Sequence, residues 1–278
     1  MTPELADRPA LLRARRRARR APADFLHEET VTDIQERLDE VNRTFTAPAV
    51  VTGHPDLWRA AFPNAVVVAD DDLLALEPGA HDLVIHALCM HWAADPVGQL
   101  VQCRRALKPD GLFLGVLFGG RSLFELRAAL AEAEVAVTGG LSPRILPMGE
   151  IRDLGGLLQR AGFALPVADS FIRKVSYRDT LHLMRDLRAM GEGNALAGRR
   201  RAFTRRALFA EAEAIYREAF GTEDGRIPAT FETIFLTGWA PHESQQKPLK
   251  PGSAAARLAD ALKTDERKLD DPPRGPAD

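Results

Sequence analysis

The chain has 278 residues, 45% apolar and 27% charged, with 37 basic against 39 acidic side chains for a net charge of −2. That length gives one large domain, or one with a substantial insertion, and the composition supplies a sizeable core, which excludes collagen-like, disulfide-stapled and wholly disordered chains. Two cysteines, Cys89 and Cys103, without metal-ligand spacing fit a reducing compartment, and the longest apolar runs, such as Leu112 to Phe118, fall far short of the roughly 20 residues that cross a bilayer.

The first 20 residues carry seven arginines (Arg8, Arg13, Arg15, Arg16, Arg17, Arg19, Arg20) against Glu4 and Asp7, a local charge of +5. Such a start reads as a nucleic-acid arm, a mitochondrial presequence or the solvated first turns of a helix over Leu11 to Arg20. Arginine supplies 31 of the 37 basic residues, so the bias runs through the chain and defines no nucleic-acid partner. From residue 24 strand and helix signals alternate, the pattern of a mainly parallel sheet covered on both faces. Apolar runs at Ala47 to Thr52, Ala65 to Ala69, Asp82 to Ala87 and Leu112 to Phe118 predict strands buried on two sides. Helices are predicted at Pro55 to Ala61, Pro96 to Leu107, Ser122 to Val137 and Met148 to Ala161. Val167 to Tyr177 reads as a strand. Two helical stretches, Asp179 to Met190 and Arg200 to Phe220, follow with no strand between them, so a helical insertion over about 178–222 is expected. Ala229 to Trp239 alternates Phe231, Thr233, Phe235 and Thr237 against Glu232, Ile234 and Leu236, and predicts one more strand, antiparallel and at or near the sheet edge. The expected organisation is a basic helix over 1–23, a domain over 24–244 and an unstructured tail over 245–278, where five prolines and no aromatic residue occur.

In open α/β sheets ligands sit beyond the carboxyl ends of the strands. The residues expected there are Gly53-His54, Asp70-Asp71-Asp72, Leu88 to Asp95 and Gly119-Gly120. The stretch His86 to Asp95 is the most unusual, read as a loop exposing the His91 imidazole and the Trp92 indole as a face for a cationic or aromatic group; the alternative is a Trp plugging the core beside a surface His. Lys108-Pro109-Asp110-Gly111 reads as a tight turn with the awkward dihedral at Gly111. His81, His86 and His91 recur every five residues, but a strand sets His81 and His86 on opposite faces, so no metal is expected. No Gly-x-Ser-x-Gly elbow, phosphate loop or His-Glu-x-x-His occurs, which leaves the commonest hydrolase, nucleotide-triphosphatase and zinc-protease readings without support.

Asp70 after a strand, His81-Asp-Leu-Val84, Leu88-x-x-His-Trp92 and Leu107-Lys-Pro-Asp-Gly-Leu-Phe113 follow in an order that resembles the class I S-adenosylmethionine-dependent methyltransferases. A closer resemblance, over roughly 12–254, is to the methyltransferase-like respiratory complex I assembly factors, whose mitochondrial member is described as a protein arginine hydroxylase. It is carried by Phe118-Gly-Gly-Arg-Ser-Leu-Phe-Glu-Leu-Arg127, Gly139-Gly-Leu-Ser-Pro-Arg144, Asp153-Leu-Gly-Gly-Leu-Leu-Gln-Arg-Ala-Gly-Phe163, Asp186-Leu-Arg-Ala-Met-Gly-Glu-Gly-Asn194 and Gly238-Trp-Ala-Pro-His-Glu-Ser-Gln245. The biotin-pathway malonyl-thioester methyltransferases share only the generic portion. The resemblance implies a Rossmann-like α/β fold, shortened in its first third, with a helical insertion before the last strand. It also implies an S-adenosylmethionine site formed by Gly53, Asp70 against the adenine, and Leu88, His91 and Trp92 on the sulfonium side. The family's Asp-x-Gly-x-Gly-x-Gly turn would fall on Val51, Gly53, Pro55 and Leu57, so only Gly53 is kept.

Methyl transfer from a sulfonium needs an aligned nucleophile and, for an amine or thiol, a base, for which His91 is the best-placed residue. Glu125 and Arg127 are expected to orient a substrate at the sheet's carboxyl edge, and Arg144, Glu192 and His242 to contact a protein client, with complex I subunits as the implied class. Three functions follow: a methyltransferase using S-adenosylmethionine, a cofactor-free assembly protein, and a protein arginine hydroxylase. Bacterial cytoplasm is the expected compartment, with the mitochondrial matrix as the alternative.

Overall fold

The computed structural model describes residues 5–246. A helix α1 (Arg8–Ala18) opens the fold, its first turn capped by the Asp7 carboxylate, which accepts from the Ala10 N–H at 3.0 Å. Next comes α2 (Phe25–Glu40), a helix not anticipated above, which buries Leu26, His27, Thr30 and Ile34. The alternation that follows is β1 (Pro48–Thr52), α3 (Pro55–Ala61), β2 (Val66–Val68), β3 (His81–Ala87), α4 (Pro96–Ala106) and β4 (Leu107–Phe118). Then come α5 (Phe124–Thr138), α6 (Ile151–Arg160), β5 (Ala164–Tyr177), α7 (Thr180–Ala189), α8 (Arg206–Phe220) and β6 (Ile227–Trp239).

The strands form one six-stranded sheet in the order β2-β1-β3-β4-β6-β5. β1, β2, β3 and β4 are parallel, while β6 runs antiparallel to both neighbours. The last strand is antiparallel as its sequence suggests, but β5 rather than β6 takes the edge. Between β1 and β3 the chain makes a single helix and a three-residue strand, the shortened first third.

The alternation of strand side chains sorts the core into two layers. Val50, Leu83, Ile85, Leu112 and Val116 pack with α2, α3, α5, α7 and α8 on one face. Ala49, Val51, Val84, Phe113 and Leu117 pack with α4 and α6 on the other. This places β1, β3 and β4 between two apolar layers and explains why their sequences are continuous apolar runs. The predicted insertion thus contributes two helices, α7 and α8, to one covering layer.

α1 joins a separate small cluster in which Leu11 meets Trp92, Leu146, Ala195 and Leu196. The expectation of a solvated basic helix is corrected for two of its arginines: Arg15 is buried and Arg8 is half-buried, whereas Arg13, Arg16, Arg17, Arg19 and Arg20 are exposed. The tight turn expected over Lys108 to Gly111 is corrected: these residues belong to β4, and within it Asp110, not Gly111, takes the left-handed conformation, with φ of 60°. These elements belong to a unit ending at His242; of the expected tail, residues 247–278 lie outside the described residues. Among the described residues no helix is long and apolar enough to cross a membrane.

Candidate functional site

Strands β1, β3 and β4 end together at Thr52, Ala87 and Phe118, and the residues just past them build one edge of the sheet. Past β1, Gly53 has no side chain, and a Cβ there would fall on the Arg15 guanidinium. Past β2, Asp70 is buried and its carboxylate accepts four hydrogen bonds. Arg8 forks onto it with Nη1 at 3.1 Å and Nη2 at 2.9 Å, and Arg15 Nη1 straddles both oxygens at 2.8 Å. Burial by itself would raise the Asp70 carboxyl, but the Arg15 and Arg8 guanidinia outweigh it and hold it far below the usual carboxylate range. Past β3, Leu88 adopts a positive φ of 47° and is buried, turning the chain into the short 3-10 turn Met90–Trp92.

His91 and Trp92 correct the expectation of an exposed face, being 7% and 5% exposed. Trp92 packs among Leu11, Leu146, Ala195 and Leu196, His91 lies against the Phe118 ring, and both reach Glu192, from the stretch after α7: its Oε2 accepts from Trp92 Nε1 at 2.7 Å and lies 3.3 Å from His91 Nε2. A carboxylate can only accept, so His91 carries a proton on Nε2, and its buried Nδ1 has no partner. Burial pushes the Glu192 carboxyl up, but the His91 ring, the Arg15 guanidinium and the Trp92 N–H outweigh it and bring it down to about 2. Glu192 therefore stays ionised in a largely apolar setting.

Glu192 and Trp92 line a cavity of about 220 Å³ whose other walls include Phe118, Leu126, Met148 and Phe231. Arg144 reaches its rim while its guanidinium is committed to Glu134, with Nε donating to Oε2 at 2.8 Å and Nη2 to Oε1 at 2.7 Å. Arg144 also lines a second, more polar hollow of about 600 Å³ that includes Ser142, Arg200 and Phe203.

Three residues expected at the site are placed elsewhere. Glu125 is buried against β6, accepting from the Thr230 N–H at 3.2 Å and from the Thr230 hydroxyl, so it holds α5 to the sheet and turns away from the cavity. Arg127 donates to the Gly120 and Ser122 carbonyls and fastens the turn before α5. His242 is exposed beyond β6, whose Trp239 pairs with Leu112 near the start of β4; β6 runs antiparallel, so His242 lies at the opposite end of the sheet from Gly53 and Glu192.

Residues that sequence reasoning did not assign to the site complete it. Arg8 and Arg15, seven residues apart on one face of α1, reach Asp70. His27 and His54 stack with ring centroids 4.2 Å apart, and burial lowers both. Trp58 Nε1 donates to His27 Nδ1 at 3.2 Å, which fixes that ring as neutral with its proton on Nε2. The helical spacing of Arg8 and Arg15 was visible in the sequence; their partner, more than fifty residues away, was not. His86 and Cys89 belong to the core beside the site: burial brings His86 down to about 4 against its bond to Gln99, and pushes the Cys89 thiol up. Among the described residues no cluster of three or more His, Cys, Asp or Glu is placed to hold a metal.

An adenosyl cofactor requires close backbone approach at the first turn and a free acidic group for its polar edge. This chain presents Pro55 and Leu57 where glycines would be, the Arg15 guanidinium against Gly53, and an Asp70 saturated by four hydrogen bonds from three donor nitrogens, so in this arrangement the residues do not fit the group.

Comparison with known proteins matches residues 17–115 to a model described as "Methyltransferase domain". The chain is 43% identical over 208 residues to the mitochondrial arginine-hydroxylase NDUFAF5 of Danio rerio, covering 75% of this chain and 64% of that protein. It is 37% identical over 238 residues to the Homo sapiens protein of the same name, covering 86% and 66%. A malonyl-[acyl-carrier protein] O-methyltransferase of Xylella fastidiosa is 36% identical over 179 residues, covering 64% and 58%. The chain thus spans just under two thirds of the length of the NDUFAF5 relatives. It is a homologue of the NDUFAF5 arginine-hydroxylases, built on a methyltransferase-type α/β domain.

Proposed function

We propose that this chain binds a protein client by receiving one cationic side chain, of the arginine type, in the cavity that ends at Glu192, and that it acts in the assembly or maturation of a respiratory complex I subunit. The observation that carries the reading is the ionised, largely buried carboxylate set among aromatic rings: the His91 and Trp92 bonds both go to Oε2, leaving Oε1 for an incoming donor. A guanidinium suits such a place because it is planar, donates in a fork and stacks on aromatic faces. The name of the relatives supports arginine as the side chain, and the polar hollow sharing Arg144 offers room for neighbouring client residues. His91, with Nδ1 as the nitrogen left unpaired, is the residue proposed to accept a hydrogen bond from the bound guanidinium, which keeps its proton.

The Glu192→Gln variant tests the reading. Gln keeps an acceptor for Trp92 and removes the charge, so a folded variant should bind arginine-bearing client peptides at least tenfold more weakly, and pull-down of complex I subunits should fail with it. Unchanged binding in the folded variant would overturn the reading. The mass of the recovered client then separates three outcomes: gain of one oxygen for hydroxylation, gain of one methylene for methylation, and no gain for assembly alone.

Methyl transfer from S-adenosylmethionine is the second reading, favoured by the methyltransferase-domain match alone. The relatives are mitochondrial by name, which supports the matrix as the alternative to bacterial cytoplasm; fractionation of the native host decides between them.

A further inference from the structure

We infer that the arginines around the mouth of the Glu192 cavity are a charge selector: they admit an arginine side chain from a client segment whose flanking residues are acidic and turn away one from a neutral or basic segment. The inference rests on the client reading above and adds the class of sequence in which the recognised arginine stands.

The cavity and the polar hollow share a wall. Arg144 lines both, and the chain that carries Glu192 continues along that wall: Asn194 Nδ2 donates to the Pro143 carbonyl at 2.9 Å, and Arg144 Nη1 donates to the Thr204 hydroxyl at 3.3 Å. An extended client with one side chain at Glu192 therefore lays its neighbouring residues across the hollow. Phe203 and Leu141, both exposed and both lining the hollow, supply apolar contact that suits a polypeptide rather than a lone ion.

The charges of the two recesses do not balance. Glu192 is the acceptor for the client's arginine, and Glu134 and Arg144 cancel each other. That leaves Arg188 at the cavity and Arg200 and Arg205 at the hollow, all exposed and none in an ion pair among the described residues. In the run Arg199-Arg200-Arg201 the outer two pair with Asp7, so Arg200 alone of the three is left unpaired beside the hollow. Arg205 precedes α8, whose first turn holds no acidic residue, so the positive end of the helix adds to the excess instead of offsetting it. An arginine approaching Glu192 thus meets three uncompensated like charges. Carboxylates beside it replace that repulsion with forked, charge-assisted bonds, and discrimination comes from both the attraction and the rejection.

Two end-capped peptides with one central arginine test the inference, one with two Glu on each side of it and the other with Gln at the same four positions. Titrated calorimetrically into the full chain in about 50 mM salt, the Glu peptide should bind at least fivefold more tightly than the Gln peptide, and the difference should shrink to less than about twofold in about 500 mM salt. Equal affinities in low salt overturn the selector, and this comparison needs no variant to fold. Arg188→Gln/Arg200→Gln/Arg205→Gln should bind the two peptides within about twofold of each other. Arg13→Gln/Arg16→Gln/Arg17→Gln, which removes three exposed arginines of α1 and the same charge, should keep the preference. If the α1 variant loses the preference as fully, net charge and not the mouth sets it, and the selector is overturned. Glu192→Gln should weaken both peptides alike and preserve their ratio, so failure of the client reading, in which that variant changes nothing, is distinct from failure of the selector. Binding of neither peptide to the unaltered chain overturns both. Sedimentation with phosphatidylserine vesicles that the mouth variant loses, together with equal peptide affinities, would assign these arginines to a membrane surface and overturn the selector.

Discussion

At the scale of single residues, the difference between holding the fold and holding a ligand lies in what each charged group has already spent its hydrogen bonds on. Arg144 forks onto Glu134, which is almost wholly buried and also accepts from the Ser142 hydroxyl at 2.7 Å; these donors, the Arg144 guanidinium first, bring Glu134 down to about 2. Arg144→Ala leaves that carboxylate buried without a countercharge, held only by the Ser142 hydroxyl and N–H, so its expected effect is a loss of about 3 kcal/mol in urea unfolding, ahead of any effect on client binding. Glu125→Ala likewise should lower stability by about 1–2 kcal/mol through the orphaned Thr230 groups and leave client affinity unchanged. A stable Glu125→Ala protein with weakened client binding would restore the substrate-orienting role expected from sequence. The placement of Gly53, Asp70 and Leu88 just past strand ends was legible, because it follows directly from the strands that precede them. The burial of His91 and Trp92 was not, because their contacts include Glu192 and Leu196, about a hundred positions later.

At the scale of elements, strands buried between two layers announce themselves, since every position must be apolar, and β1, β3 and β4 were read within a few residues. α2 was missed because its inward stripe includes His27 and Thr30, which break the apolar periodicity although they lie seven and four residues before Ile34, a helical spacing. His27 is satisfied only through Trp58, and Thr30 by donating to the Leu26 carbonyl at 2.7 Å, so neither looks like a core residue in isolation. The outer face of α2 is tied to the edge of the sheet by charge: Arg37 lies 4.2 Å from the Phe235 ring centroid and pairs with Asp169, and Arg173 reaches back to Asp33. Arg37→Ala removes both the cation–π contact and a partly exposed pair, and should lower stability by about 1–2 kcal/mol. A change within a few tenths of that of an exposed control such as Arg13→Ala would show that α2 is held by its apolar stripe alone.

At the scale of the whole molecule these buried groups set how the fold responds to acid. Glu134 and Glu192 are depressed to about 2 from an ordinary 4.5, and Asp70 further still, so their contribution is complete above about pH 5 and is lost only as pH falls toward their folded values. The histidines act sooner. His27 and His54 are lowered by burial from an ordinary 6.5 and His86 to about 4; each is neutral when folded and binds a proton when unfolded, so its contribution is complete above about pH 6.5 and is lost as pH drops through the folded value. Stability should therefore be flat between about pH 7 and 8, fall above that as the unfolded chain releases the protons that burial holds on Cys89 and Cys103, and begin to fall on the acid side near 6.5, well before any carboxylate titrates. Full uptake of one extra proton by the unfolded chain corresponds to a slope of about 1.4 kcal/mol per pH unit. His86→Gln, which keeps a side-chain partner for Gln99, removes one of these protons. Urea unfolding between pH 7 and 4 should show its slope reduced by up to that amount relative to the unaltered chain, and superimposable slopes would mean that His86 already carries its proton in the folded protein. Since His54 and His27 sit beneath α1, the same titration charges rings facing the Arg15 guanidinium, so acid loosens the contact between α1 and Gly53 while Asp70 is still ionised. Exchange of the α1 amides should rise between pH 6.5 and 5 ahead of global unfolding, whereas a helix held by Asp70 alone would keep its protection until the carboxylate itself titrates.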